Sequence, residues 1–200
     1  MYVFGVSYGA VAVTGGLPLW VPAVLSVLVM AGSSELLFVG IVAAGGNPLA
    51  AALAGVLVNA RHVPYGLALP AGAIGNSRIQ RVLGTHLMND ESVVFALAQS
   101  GRDKQHAAFW ACATGVFVTW PAGAVTGALL GGVVHNTAAF GLDAVFPAMI
   151  LALVFPALRE SRRLSGAAVA GAVIALAGTA CGLPAGLPVL LALAALVLAW

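Results

Sequence analysis

Apolar residues run almost unbroken along this chain, and its polar residues fall into a few short interruptions that cut it into helix-length pieces. Reading those interruptions as boundaries predicts helices over 2–13, 20–43, 48–74, 106–133, 143–158, 164–181 and 188–200. Gly45-Gly46-Asn47-Pro48 separates the second piece from the third. A polar stretch from 75 to 105 carries Arg78, Arg81, Asp90, Glu91, Arg102, Asp103 and Lys104. Within it, Ser92–Ala98 is apolar but too short to cross a bilayer, which predicts a re-entrant or interfacial helix near 86–100. The first piece reaches only about 18 Å, so part of that helix is expected to lie upstream of Met1.

Composition turns this pattern into a statement about solvent. Of 200 residues, 62% are hydrophobic and 7% charged, with a mean hydropathy of +1.06. Soluble domains carry about 25% charged residues, and there is too little polar surface here to coat a globule in water. The expected fold class is an all-α polytopic membrane protein of six to seven helices, forming one transmembrane domain over 1–200. The net charge of +2 gives no reason to expect nucleic acid as a partner; the lipid bilayer is the expected surround. Cys112 and Cys181 fall in apolar spans and read as two buried thiols.

Charge placement adds orientation. Seven of the eight Lys and Arg residues sit in two clusters, Arg78/Arg81/Arg102/Lys104 and Arg159/Arg162/Arg163. Two predicted helices separate the clusters, so both face one side, and the positive-inside bias makes 75–105 and 159–163 cytoplasmic.

An internal repeat is also visible. Gly16-Leu17-Pro18 with Pro22-Ala23 resembles Gly141-Leu142-Asp143 with Pro147-Ala148, and Gly5/Gly9 parallels Gly123/Gly127. This divides the chain into repeat one (1–74), the polar segment (75–105) and repeat two (106–200). The paired helices lie three predicted crossings apart, which predicts inverted repeats with a site at mid-membrane between them. Small residues that let helices pack closely explain the glycine pairs equally well.

The eighth basic residue, Arg61, stands in the middle of an apolar span, where a charge costs about 3 kcal/mol and is rarely idle. Its surroundings, Asn59-Ala60-Arg61-His62-Val63-Pro64-Tyr65-Gly66, predict a helix broken near its middle, because Pro64 removes an amide and crowds the Ala60 carbonyl. Glu35, in Ala31-Gly32-Ser33-Ser34-Glu35, is the expected partner of Arg61 and a candidate to load and release a proton. The candidate substrate-binding residues are therefore Gly32, Ser33, Ser34, Glu35, Asn59, Arg61, His62 and Tyr65. A static Glu35–Arg61 pair locking two helices is the competing reading. Asp90, Glu91 and Asp143 stand at helix starts, as N-caps or as gating residues. His86, His106 and His135 show no ligand spacing, so no metal is expected, and no phosphate-binding or redox motif calls for a cofactor. Ser33 or Ser34 with His62 as base would be needed for an intramembrane hydrolase; Gly-Ser-Ser alone does not support one, and no enzyme is expected.

The series Gly5–Gly9, Ala31-Gly32-Ser33-Ser34, Asn59-Ala60-Arg61-His62 with Tyr65-Gly66, Asp90-Glu91 and Gly141-Leu142-Asp143 resembles the AzlC family across the whole chain. Those proteins are the large subunits of bacterial branched-chain amino acid exporters. The resemblance implies proton-driven efflux of valine, leucine and isoleucine, with methionine as a further candidate, from the bacterial inner membrane. It also implies a small hydrophobic AzlD-type subunit as partner. The family usually carries Gln where this chain has Glu35, so a proton role there would be particular to this chain. Its members usually begin with a polar leader and a fuller first helix, in line with the missing upstream piece. A permease for another small zwitterion or organic acid, or a non-transporting membrane subunit, are the alternatives.

Overall fold

A computed structural model describes residues 1–70, 72–133, 151, 155, 158–183 and 187–199, and over these the chain is helical throughout. The elements are α1 (Tyr2–Thr14), α2 (Trp20–Leu28), α3 (Gly32–Ala43), α4 (Pro48–Asn59), α5 (His62–Ala68), α6 (Arg78–Leu87), α7 (Asp90–Leu97), α8 (Arg102–Val133), α9 (Arg162–Ala180) and α10 (Leu187–Ala192), the last followed by a 3-10 turn over Leu193–Ala199. Among the described residues, α8 and α9 are long and apolar enough to cross a membrane. The predicted 143–158 helix falls almost wholly outside the described residues.

Helix α8 is the spine. Its 32 residues extend about 48 Å, longer than the hydrocarbon core of about 30 Å. Helix α1 lies along its far half through a seam of small residues. A Cβ on Gly5 would meet the Trp120 carbonyl at 2.6 Å, and one on Gly9, Gly123 or Gly127 would strike the backbone of the facing helix outright. The residue numbers rise together along the seam, from Gly5 beside Trp120 to Gly131 beside Ala10, so α1 and α8 run parallel. This corrects the inverted relation expected of that pair. The packing explanation accounts for the glycines.

The reason for the parallel course is a second correction. The predicted helix 20–43 is broken at Met30, which adopts a left-handed φ of 51°. Helices α2 and α3, of 9 and 12 residues, reach about 13 and 18 Å, and Gly15 before α2 abuts Ala43 at the end of α3. The chain therefore goes in and comes back at one end. One fewer crossing makes α1 and α8 codirectional. Helix α4 then runs antiparallel to α3, with Gly55 beside Ser34.

The polar stretch forms a second hairpin. Asn76, before α6, accepts from Arg102 at the start of α8 (2.8 Å), and Gln105 Nε2 donates to Gln99 O after α7 (3.1 Å). Both ends of the α6–α7 hairpin therefore lie at the basic end of α8, opposite Gly15 and Ala43. The short helix expected near 86–100 is α7, and a further helix, α6, precedes it; each is opened by a capping box, Ser77 with Gln80 and Asn89 with Ser92. Val93 and Ala96 of α7 pack with Phe109 and Ala113 of α8 in the main apolar core.

Candidate functional site

The tips of the two hairpins meet. His86 at the end of α6 donates through Nε2 to the Val27 carbonyl near the end of α2 (2.9 Å). Arg61 ties together the starts of α3 and α7: its guanidinium donates to Ser33 Oγ (2.6 Å) and pairs with Asp90 Oδ2 (3.1 Å). Asp90 thus occupies the place expected of Glu35. Asp90 and Glu91 stand in the first turn of α7, where carboxylates complement the amides; the cap itself is Asn89, whose Oδ1 accepts from Ser92 N (2.8 Å).

The break that presents Arg61 follows the predicted chemistry. Pro64 has no amide to offer the Ala60 carbonyl, which instead accepts from Val63 N (3.1 Å). Ala60 N is shared between Val56 O (3.0 Å) and Leu57 O (3.2 Å), and Arg61 N bonds three residues back, to Val58 O. This tightened turn separates α4 from α5, and α5 stops at Ala68 rather than 74. His62 Nδ1 donates to Asn59 O (3.0 Å), and Tyr65 meets the His62 ring edge-on at 5.8 Å.

Glu35 belongs to a different network. Its side chain is 1% exposed. Oε1 accepts from the Ala31 amide (3.0 Å), and Trp120 Nε1 donates to both carboxylate oxygens (3.3 Å each). Ser34 Oγ donates to the Ala31 carbonyl (2.9 Å). Gly-Ser-Ser-Glu is therefore a local start signal for α3, with Glu35 reaching back to an otherwise orphaned amide much as in a capping box. Gly32 is required beneath Trp120, since a Cβ there would meet the indole at 2.9 Å.

A cavity of about 220 Å³ opens between α2, α3 and α4. Phe38, Ala51, Ala52, Gly55 and Val56 make its walls apolar, and Ser34, Glu35 and Asn59 are its polar groups. Asn59 Oδ1 is buried and, among the described residues, has no hydrogen-bond partner. Drug-sized ligands occupy about 300–1,000 Å³, so this space suits something smaller.

The expected site residues thus divide into groups. Ser33, Arg61 and Asp90 form one cluster; Ser34, Glu35 and Asn59 line one cavity; His62 lines the adjoining one. Asp143 lies outside the described residues. Sequence reasoning missed Trp120, Asn89 and His86. A tryptophan beside Pro121 within an apolar span was the signal available for Trp120, and an asparagine directly before Asp90-Glu91-Ser92 was the one for Asn89; His86 carried no local one.

Over the described residues the arrangement is all-helical with a largely apolar exterior, built round a small, sparsely polar cavity between broken helices. The sequence model of one family, described as AzlC protein, matches residues 1–134, a span that ends where α8 ends, and the chain belongs to that family. The AzlC family is linked to branched-chain amino acid transport and is a transporter family rather than an enzymatic one. No curated protein and no solved structure matches the chain.

Proposed function

We propose that this protein is the transporting subunit of a secondary exporter of branched-chain amino acids, namely valine, leucine and isoleucine, with methionine as a further candidate. The observation that carries this reading is the cavity between α2, α3 and α4. Its apolar walls suit a short aliphatic side chain, while Glu35 and the unpartnered Asn59 Oδ1 offer acceptors to an α-ammonium group. Arg61 supplies the opposite charge for the α-carboxylate when its pairing with Asp90 opens, and Asp90 and Glu91 then act as the gate. Glu35, buried among apolar side chains, is the group that exchanges a proton with the gradient. Both hairpins are re-entrant in the bacterial inner membrane, with the basic end cytoplasmic, and an AzlD-type small subunit completes the transporter.

Cells fed Val-containing dipeptides accumulate valine, and coexpression of this chain with the small subunit is expected to lower internal valine several-fold. An unchanged level would refute export. Filling the cavity separates site from fold: Gly55→Leu is expected to abolish efflux while the protein still inserts and copurifies with its partner. Undiminished efflux would move the site elsewhere.

A further inference from the structure

Three cavities in this molecule adjoin one another, and only the innermost has been assigned a role above. Val29 and Asn59 line both the 220 Å³ cavity and a middle one of about 720 Å³. Gly66, Ile74 and Arg81 line both the middle cavity and an outer one of about 380 Å³ at the basic end. These shared lining residues place the three in order from the start of α8 to Glu35, with Asn59 at the inner junction and Gly66 at the outer one.

The outer chamber adds a second guanidinium to the Arg81 it shares with the middle one. Arg81 and Arg102 line it together with Asn76, and among the described residues no carboxylate does. Both guanidiniums are held by that one asparagine: Arg81 donates to its backbone carbonyl (3.3 Å) and Arg102 to its Oδ1 (2.8 Å). Trp110 Nε1 and His106 Nδ1 donate to the carbonyls of Ile74 and Ala73 (2.8 and 3.0 Å), which fixes the intervening wall to α8. Neither arginine pairs with an acidic side chain among the described residues. Two guanidiniums held by Asn76 and paired with no acidic side chain among the described residues attract an anionic group, and their fork geometry matches a carboxylate.

We infer that Arg81 and Arg102 form a vestibule that captures the carboxylate of the solute before it passes Gly66 and Asn59 into the Glu35 cavity. This inference rests on the transport reading and adds a second binding station to it. Capture at the mouth raises occupancy without touching the step that moves the solute. Its loss therefore appears in KM rather than in maximal rate.

The test uses the full chain with its small subunit, reconstituted in phosphatidylcholine vesicles. Valine uptake by R81Q/R102Q is expected to show about a tenfold higher KM with maximal rate kept, the signature of lost uniform binding. An unchanged KM, or a lost maximal rate at unchanged KM, overturns the inference. Gly66→Phe, at a position where a Cβ has only one ordinary contact, the Met88 methyl at 3.8 Å, is expected to block uptake by closing the passage; full activity would show that the solute travels elsewhere. A second readout does not depend on valine being the cargo. In an Ile74→Cys protein lacking Cys112 and Cys181, a sulfonate-bearing thiol reagent is expected to react about tenfold faster than its ammonium counterpart, and R81Q/R102Q to erase the preference. No preference in the parent protein refutes the vestibule even if valine is exported. A preference that persists without valine uptake would sink the transport reading while leaving an anion-binding mouth. Adding anionic lipid distinguishes the source of the anion: if it abolishes the reagent preference, the arginines hold lipid headgroups and the solute role falls.

Discussion

The two hairpins approach each other tip to tip, yet they are built on opposite principles. The α2–α3 tip turns on an unfavourable residue, Met30 in the left-handed region, and is held by tertiary contacts: Trp120 on Gly32 and on Glu35. The α6–α7 tip turns on Asn89, whose side chain supplies its own cap. One carboxylate, Glu35, is buried at the cavity wall and held by two protein donors; the other, Asp90, has a side chain 41% exposed and meets Arg61 across a gap between elements. The contrast assigns the first tip to holding shape and the second to changing partners, because a partly exposed pair is weak and easily exchanged.

The largest effect is expected from Glu35→Ala. It leaves the Trp120 indole N–H and the Ala31 amide without their acceptor, at about 1–3 kcal/mol for each unsatisfied buried group. A loss of about 3 kcal/mol in the unfolding of the detergent-purified complex is the expected outcome, and less than 1 kcal/mol would erase the distinction between the tips. Glu35→Gln keeps an acceptor for the indole and should recover most of that stability. If Glu35 carries the proton, valine efflux by this variant should no longer respond to an imposed pH gradient.

On the second hairpin Asn89→Ala removes the α7 cap and should cost about 1–2 kcal/mol. That effect should be local, seen as faster amide exchange over 90–97 with α3 unaffected. Met30→Gly sharpens the comparison in the other direction: a glycine relieves left-handed strain of about 1 kcal/mol but removes a methionine side chain buried in the main core, at about 2–5 kcal/mol, so the melting temperature should fall. A rise would mean that backbone strain at Met30 outweighs its packing. The smallest change in stability is expected from Asp90→Asn, within about 1 kcal/mol. Its signature is functional, a changed valine flux at unchanged stability, and an unaltered flux would remove Asp90 from the gate.

What could be read from the sequence divides along the same line as the hairpins. The break at Arg61 was legible because Pro64 acts on the backbone four residues behind it, wherever the rest of the chain goes. The α7 start was legible in outline for the same reason, since Asn89, Asp90, Glu91 and Ser92 are local helix-start chemistry. The break at Met30 was not legible. Val29-Met30-Ala31 continues an apolar run, and the turn exists because of Trp120, far along the chain. The Arg61 partner was misassigned because Glu35 and Arg61 share the property of being charges in apolar spans, whereas pairing depends on which helix starts come together. The parallel course of α1 and α8 followed from the same missed break, as counting crossings turns one error at Met30 into a reversed direction downstream.

The glycine seam between α1 and α8 bears on how such a molecule could cycle. Two rods whose main chains touch along several turns leave no slack for sliding or rotation, so they behave as a stator. Whatever rearrangement opens and closes the passage must then fall to the hairpins and the jointed α4–α5 rod. A bulky residue anywhere along the seam would accordingly jam assembly before it slowed the engine.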